Sequence, residues 1–404
     1  MKKTLIYFVG LVFLSSCYTE EINGPVSLRE LTAEEEEVVL SNNDFAIGIL
    51  QKIDSAEQQN YFISPLSISY ALGMTYNGAG GTTKEAMAAT LGCQDLSPET
   101  INQGYKDLKG LLADADPKVT MDIANSIWYR QELNIKGTFN DLVTTYFDAH
   151  VSPLNFNDPG AKDIINQWVA DNTNDKIQNM LGQIPPEAVM YLVNAIYFNA
   201  DWKYKFEKNQ TSPGDFFNED GTISEARFMV SEGVELLKYY PPGLTMVDIP
   251  YSNGQYAMTV LMPDKSSSTK TIIENLTAHQ LNEWYLNADT SAVKLFLPKF
   301  KIEYKTSLND ALKALGMGLA FSDGADFSGL FEEVLPLAIT KVAHQTFINV
   351  DETGTEAAAA TSVEVGITSM PSGPPVVRID RSFIFLIRER HTNTIVFAGK
   401  MLAP

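Results

Sequence analysis

The feature that most constrains this chain is a stretch near its C-terminus that alternates like a strand. Taken in steps of two, one face of residues 355–368 is small or β-branched: Thr355, Ala357, Ala359, Thr361, Val363 and Val365. The other face carries polar side chains: Glu356, Ser362 and Glu364. Such alternation is typical of a strand with one buried face. At ~3.3 Å per residue this stretch would span ~46 Å, well beyond a usual strand.

The segment after this stretch is typical of an exposed loop. Its residues, Met370-Pro371-Ser372-Gly373-Pro374-Pro375, cannot continue a ladder of hydrogen bonds, because each proline lacks an N–H. An alanine-rich helix is the alternative for the stretch itself, since Ala357–Ala360 have the highest helix propensity. The sequence therefore predicts a segment suited to a buried strand but connected as a loop, and the two structures can hold at different times.

Composition limits the function classes. The chain has 404 residues, 45% of them hydrophobic, which is enough for a sizeable core in one large domain or two ordinary ones. The net charge of −20 argues against nucleic acids and anionic membrane surfaces as partners. Two cysteines cannot form a disulfide framework, and the histidines His150, His279, His344 and His391 lack metal-ligand spacing. We therefore expect no metal and no cofactor.

The N-terminus has the pattern of an export signal. Lys2 and Lys3 precede an apolar run that is too short to span a bilayer, so residues 1–16 are predicted to be a signal peptide. The ending Leu14-Ser15-Ser16-Cys17 resembles a bacterial lipobox, which implies lipidation of Cys17 and a polar tether over residues 17–37. We expect an exported protein held by that lipid at the outer membrane or cell surface, or secreted if Cys17 is an incidental cysteine.

The remainder indicates one mixed domain from residue 38 to 404. Ser64-Pro65 supplies an N-cap and a first-turn proline, and helices dominate the first third. Strand character rises later, with nearly continuous apolar runs over residues 192–198 and 383–387. The fold class is therefore predicted to be α+β. With Cys17 lipidated, Cys93 would be the only thiol left, and we expect it to be buried.

A resemblance to a known family becomes specific at the alternating stretch. The segment Gly354-Thr355-Glu356-Ala357-Ala358-Ala359-Ala360-Thr361 resembles the hinge of a serpin, a serine-protease inhibitor whose reactive loop inserts into a β-sheet. Five further blocks resemble serpin segments in serpin order. They are residues 62–68, residues 192–198 followed by Trp202, residues 297–300, residues 321–329 and residues 397–400.

The resemblance implies a fold of three β-sheets and eight or nine helices, with an exposed reactive-centre loop at about residues 352–377. It also implies a mechanism, in which a protease cleaves the loop, forms an acyl-enzyme and is trapped when the freed segment enters the largest sheet. The protein would then be a monomeric inhibitor rather than an enzyme, and its partners would be serine proteases.

Positions outside the loop carry over from the same resemblance. Glu352 and Lys299 resemble an ion pair where the loop enters the sheet, a region called the breach, with Trp202 packed nearby. Ser64, Ser67, Asn194 and His344 resemble the shutter, a hydrogen-bonded cluster beneath the strands that part. From the residues alone, His344 lies in phase with apolar neighbours and is a core histidine, and Ser64 is an N-cap.

The cleaved bond is placed by counting. Sixteen residues on from Glu352 the bond is Thr368-Ser369, but the loop is longer than usual on its C-terminal side, so Ile367 and Met370 stay as alternatives. None of these residues is basic, which argues against trypsin-like targets. Small and β-branched residues suit elastase-like proteases, and Met370 suits chymotrypsin-like or subtilisin-like ones.

Other functions remain as alternatives. A non-inhibitory serpin acting as a surface binding protein would be expected to carry bulky or charged inward hinge residues, which are absent here. Cross-class inhibition of cysteine proteases is a second alternative. A surface hydrolase or a solute-binding lipoprotein is a third, but we find no G-x-S-x-G, H-E-x-x-H or phosphate-cradling loop.

Overall fold

The computed structural model describes residues 28–355 and 373–404. Within this part of the chain there are nine α-helices. They are α1 (Ala33–Asp54), α2 (Pro65–Tyr76), α3 (Gly81–Thr90), α4 (Pro98–Asp114), α5 (Gly137–Phe147), α6 (Ala161–Asp171), α7 (Thr269–Asn275), α8 (Ala278–Leu286) and α9 (Asn309–Ala314). None of these helices is both long enough and apolar enough to cross a bilayer.

The same residues form fifteen strands. They are β1 (Tyr61–Ile63), β2 (Thr120–Arg130), β3 (Ala149–Leu154), β4 (Met190–Asp201), β5 (Ser212–Phe217), β6 (Ile223–Tyr239), β7 (Leu244–Pro250), β8 (Tyr256–Pro263), β9 (Asp289–Pro298), β10 (Phe300–Ser307), β11 (Ala343–Val350), β12 (Gly354–Thr355), β13 (Val376–Arg378), β14 (Phe383–Glu389) and β15 (Ile395–Met401). The predicted α+β class is confirmed.

A six-stranded sheet has the order β10-β11-β12-β4-β2-β3. β3 pairs parallel with β2, whereas the other neighbours pair antiparallel. The inward phase of β4 and β2 is apolar except for a few polar side chains, so the sheet has one face on the main core. β12 contributes only two residues to this sheet, and it lies between the much longer β11 and β4.

The other strands form a nine-stranded network with the order β1-β15-β14-β8-β7-β6-β9-β13, to which β5 adds through β6. The network has two parts, because β6 pairs with β7 only over Leu237–Tyr239 but with β9 over most of its length. β6 also bulges between Glu232 and Val234, where Gly233 has a φ of +75°. The two parts and the six-stranded sheet correspond to the three sheets that the resemblance implies.

Two hydrophobic clusters hold these layers together. The larger one lies between the sheets and encloses α2, whose first turn begins at Pro65 after the N-cap Ser64. The smaller one packs α6 on the outer face of the six-stranded sheet, through Ile165, Val169 and Trp128. α6 is therefore attached to that sheet by an apolar contact of its own.

Gly399 of β15 lies where three aromatic rings meet. Its register partners are Phe62 on β1 and Phe385 on β14. The Phe62 ring stacks on the Phe385 ring at 5.6 Å and on the Phe397 ring at 4.9 Å. A β-carbon at position 399 would lie 2.6 Å from Phe385 Cζ and 2.8 Å from the carbonyl oxygen of Tyr61. The stack therefore requires glycine here.

We predict that Gly399→Ala lowers the free energy of unfolding by about 1–3 kcal/mol, because the added carbon overpacks the core. The matched control is Gly110→Ala, since Gly110 lies in α4 with nothing within 4 Å of an added β-carbon. This control should raise the free energy of unfolding by ~0.5–1 kcal/mol. Urea unfolding of both variants checks the prediction, and equal midpoints would contradict it.

Candidate functional site

The candidate site begins where β12 enters the six-stranded sheet. Thr355 is paired with Val350 of β11 on one side and with Ala200 of β4 on the other. Gly354 pairs with Asp201, and a β-carbon at position 354 would collide with the carbonyl oxygen of Ala200. Only glycine allows the chain to approach β4 this closely, so Gly354 positions the first residues of the predicted hinge.

The side chain of Thr355 points into the core. It is 3% exposed, and its hydroxyl lies 2.6 Å from the hydroxyl of Tyr251. The Tyr251 ring stacks on Trp202 with a centroid distance of 4.4 Å. Burial raises the pKa of Tyr251, so the phenol remains protonated and can donate to Thr355. This contact places the side chain of Thr355 on the inward face of the six-stranded sheet.

Glu352 and Lys299 lie together at this end of the sheet. Lys299 Nζ donates to Glu352 Oε2 at 2.6 Å, and the Thr211 hydroxyl donates to Glu352 Oε1 at 2.8 Å. Burial opposes ionisation of Glu352, but the hydrogen bonds from Lys299 and Thr211 outweigh it and keep the pKa of this carboxyl below its usual value. A carboxylate that is 5% exposed is thus fully partnered.

Trp202 closes the turn that precedes β12. Its indole Nε1 donates to the Asp351 carbonyl at 2.9 Å, and its backbone N–H donates to the Thr353 carbonyl at 2.8 Å. The indole is 2% exposed. The three residues assigned to the breach therefore meet at one turn, residues 351–355, although they come from three separate parts of the sequence. Glu352 belongs to the turn, and Trp202 and Lys299 contact it.

Of the four residues assigned to the shutter, Asn194 and His344 lie farther along the same sheet, and Ser64 and Ser67 lie at the start of α2. His344 Nε2 accepts a hydrogen bond from the Ser64 N–H at 3.0 Å, and the Ser67 hydroxyl donates to Asn194 Oδ1. The two pairs are linked, because the Ser67 N–H donates to Ser64 Oγ at 3.2 Å. Asn194 lies on β4 and His344 on β11, which are the strands on either side of β12.

Two further residues belong to this cluster and were missed from the sequence. Asn125 of β2 accepts from Asn194 Nδ2 at 2.6 Å and donates to the Phe147 carbonyl at 2.7 Å. Thr346 donates to the Phe62 carbonyl. A signal for Asn125 was present, since it is a polar residue in the inward phase of the otherwise apolar β2.

Several predicted positions lie outside the described residues. They are the lipidation site Cys17, the hinge residues Glu356, Ala357, Ala358, Ala359, Ala360 and Thr361, and the candidate cleavage residues Ile367, Thr368, Ser369 and Met370. The chain is described again from Gly373, just before β13. The structure therefore describes both ends of the predicted loop. The N-terminal end lies in the six-stranded sheet and the C-terminal end in the nine-stranded network.

Among the described residues, the His, Cys, Asp and Glu side chains form no group of three that could hold a metal ion. Cys93 is buried, as expected, and burial raises the pKa of its thiol to about 11. The thiol therefore stays protonated at neutral pH and is a poor nucleophile.

His344 gives a pH prediction. Burial lowers the pKa of His344 from 6.5 to about 4, so the folded protein holds it neutral. The unfolded chain takes up this proton below pH ~6.5, so the stabilising contribution is complete above that pH and is lost as the pH falls towards 4. Between pH 7 and 5 the wild type should lose about 2 kcal/mol more unfolding free energy than His344→Gln does.

Urea unfolding at the two pH values measures this difference. The control is His279→Gln, since the His279 side chain is 83% exposed. That variant should behave like the wild type, and an equal loss for all three proteins would refute the role given to His344.

The comparisons with known proteins agree with this geometry. A family model described as "Serpin (serine protease inhibitor)" matches residues 40–404. The chain is 34% identical to Iripin-4 of Ixodes ricinus over 91% of this chain and 95% of the relative. It also matches the solved structure of tengpin, a thermophilic serpin, in its native state, with 34% identity, a TM-score of 0.84 and coverage of 94% of this chain and 96% of that one.

A third match is human thyroxine-binding globulin in complex with thyroxine, at 29% identity and a TM-score of 0.84, covering 92% of this chain and all of that one. These matches extend over nearly the whole chain, and the family model covers all residues assigned to the breach and the shutter. The family of serine-protease inhibitors is in general one of inhibitors and not of enzymes. The chain belongs to the serpin family.

Proposed function

We propose that this serpin inhibits serine endopeptidases as a suicide substrate. In this mechanism the protease cleaves the reactive loop, and the freed segment enters the six-stranded sheet before the acyl-enzyme is hydrolysed. The observation that carries the proposal is β12, since Gly354 and Thr355 already pair with β4 and β11 on both sides. Insertion would then extend an existing strand, so no new strand pairing would have to be nucleated.

The register of β12 specifies where later residues would go. Continued antiparallel pairing from Thr355 brings Thr361 opposite both Asn194 and His344. Thr361 shares the inward phase of Thr355, so its hydroxyl would meet the buried polar cluster. Ala357 and Ala359 would be buried on the way, and such small side chains need little repacking.

An apolar cavity supports the same path. It has a volume of about 270 Å³ and lies between the start of β4 and the segment before β11. Its lining includes Met190, Leu192, Thr340 and Val342. In the register of β12, Val363 would fall between Leu192 and Val342, and Val365 between Met190 and Thr340. The cavity is therefore in position to receive valines.

The energy of insertion is sufficient in order of magnitude. About ten new ladder hydrogen bonds would each contribute ~1 kcal/mol net. Burial of Val363 and Val365 would add ~1.5–3 kcal/mol each. A cleaved chain would thus be more stable than an intact one by many kcal/mol, which is the energy that the trap requires.

For the target, we propose elastase-like proteases, with cleavage at Thr368-Ser369 and with Ile367 and Met370 as the neighbouring alternatives. The uncharged, small or β-branched residues around this bond suit a shallow specificity pocket. Chymotrypsin-like or subtilisin-like proteases would instead use Met370. Inhibition of cysteine proteases is the cross-class alternative.

A hormone-binding relative gives the second candidate function. The solved structure of thyroxine-binding globulin holds its hormone on the same fold, so this chain could serve as a binding protein. The small inward hinge residues favour inhibition instead, because small side chains can be buried in a sheet with little repacking. Cleavage separates the two: an inhibitor becomes much more heat-stable when its loop is cut.

The test is to incubate the protein with pancreatic elastase. We expect an SDS-resistant covalent complex, and mass spectrometry of the released C-terminal fragment identifies the cleaved bond. Cleaved serpin beside fully active elastase would overturn inhibition of this target. Two results together would overturn the suicide mechanism itself. Chymotrypsin, subtilisin and papain would also remain active after cleaving the loop, and the cleaved protein would have the same melting temperature as the intact one.

The last hinge residue, Thr361, and the residue after it, Ser362, provide a matched pair. Thr361→Arg places a charge in the inward phase, so it should slow insertion and raise the number of inhibitor molecules consumed per protease severalfold. Ser362→Arg puts the same charge in the outward phase and should leave that stoichiometry close to the wild-type value. Titration of protease activity measures both, and equal effects would contradict the register derived from Thr355.

For localisation, we propose that a lipid on Cys17 anchors the protein. The support is the lipobox-like segment after a short apolar run. Expressed in a Gram-negative host, the wild type should fractionate with membranes and label with a fatty-acid analogue. Cys17→Ser should do neither, whereas Cys93→Ser should behave as the wild type. A wild type that is soluble and unlabelled would refute the anchor.

A further inference from the structure

A cavity of about 510 Å³ lies beside β2, at one side of the six-stranded sheet. β3 begins opposite Asn125, so residues 120–124 of β2 have no strand partner on that side among the described residues. The cavity follows this unpaired stretch and is also bounded by α4 and α6. Small-molecule sites in proteins have volumes of about 300–1,000 Å³, so the cavity is large enough to hold a small ligand.

The charged side chains around this cavity are mostly acidic. Its lining includes Asp122 of β2, Asp148 at the end of α5 and Asp171 at the end of α6. Lys109 is the one Lys or Arg among the described lining residues, and its Nζ lies 3.2 Å from Asp148 Oδ2. Asp122 and Asp171 make no ion pair with any described residue. We call this space the aspartate cavity, since two of its three carboxylates have no cation beside them.

Three α-helices end at the aspartate cavity. Its lining includes the last turn of α4, the C-cap residue Asp148 of α5 and the last turn of α6. The C-terminus of a helix carries a partial negative charge, which a basic side chain in the last turn often balances. None of these three helices has a basic residue in its last turn. The helix ends therefore add to the negative potential of the aspartates, and both favour a bound cation.

The rest of the lining indicates what kind of cation fits. The described His, Cys, Asp and Glu side chains form no group of three that could hold a metal ion, so the carboxylates of the cavity do not converge on one point. The half-buried indole of Trp168 forms an aromatic wall, and Leu112 and Met121 add apolar surface. An ammonium group is attracted to the face of an indole, and methylene groups pack on apolar side chains. The lining therefore fits a flexible organic cation whose charges are spaced along an apolar chain.

We propose that the aspartate cavity binds a linear polyamine. One ammonium group would lie near Asp122 and another near Asp171, and the methylene chain between them would run along Trp168. Both aspartates are exposed to solvent, so the affinity would be moderate and would fall as the ionic strength rises. This binding function is separate from the proposed inhibition and does not depend on it.

The test is to titrate the protein with spermidine, followed by calorimetry and by tryptophan fluorescence. We expect saturable binding of one spermidine per protein at low ionic strength, and a severalfold loss of affinity when salt is raised above the physiological concentration. Octanediol, which has a similar chain but no charge, should not bind. Trp168→Phe should weaken binding and lose the fluorescence change, because the indole is the stronger cation–π partner.

Charge variants locate the ammonium groups. Asp122→Asn and Asp171→Asn should each weaken spermidine binding by about fivefold, since each removes one carboxylate without changing the size of the side chain. The matched control is Asp310→Asn, because Asp310 is an exposed residue in the first turn of α9 and does not line the cavity. This control should bind like the wild type. Urea unfolding should give all three variants a midpoint close to that of the wild type, which excludes a loss of binding through misfolding.

Three results would overturn the polyamine site. The first is the absence of saturable spermidine binding at low ionic strength. The second is an equal affinity of Asp122→Asn, Asp171→Asn and Asp310→Asn. The third is displacement of spermidine by an equal concentration of Mg²⁺, which would show a diffuse attraction of cations to an acidic protein. A protein that binds spermidine but traps no protease would leave this site in place and refute only the proposed inhibition.

Discussion

Two residues hold β4 and β11 one strand apart at one end of the six-stranded sheet. Thr355 pairs with both strands. Position 354 must be glycine, because a β-carbon there would collide with the backbone of β4. The other features of this region depend on that placement. Trp202 closes over the turn before β12, and Glu352 is brought to Lys299 because the turn reverses the chain there.

Two polar side chains of the shutter lie on the strands that border β12. His344 and Asn194 lie on the strands that flank β12, and both are hydrogen-bonded to serines at the start of α2. Burying these groups is acceptable only because each has a partner. Hydrogen bonds can be exchanged between partners with little net change in free energy, because the bonds that form replace the bonds that break. A polar cluster at this position is thus compatible with a sheet that accepts a further strand.

Much of the local structure could be predicted from the sequence. The runs 192–198 and 383–387 lie within β4 and β14, and Ser64 caps α2. The ion pair between Glu352 and Lys299 was reached only through resemblance to a family, because no pattern in a single chain relates residues 53 positions apart. Asn125 was missed for the opposite reason: its out-of-place polarity was visible, but its partner Asn194 lies 69 positions away.

The sequence by itself determined the α+β class, the N-cap at Ser64 and the apolar runs within β4 and β14, since these depend on side-chain patterns and on backbone preferences over a few residues. Only the tertiary structure decided the register of β12 and the contacts of the buried histidine His344. Each of these joins segments that are distant in the chain, and their relative positions are fixed by how the sheets pack. Local energies cannot specify that packing, because it is a property of the whole core.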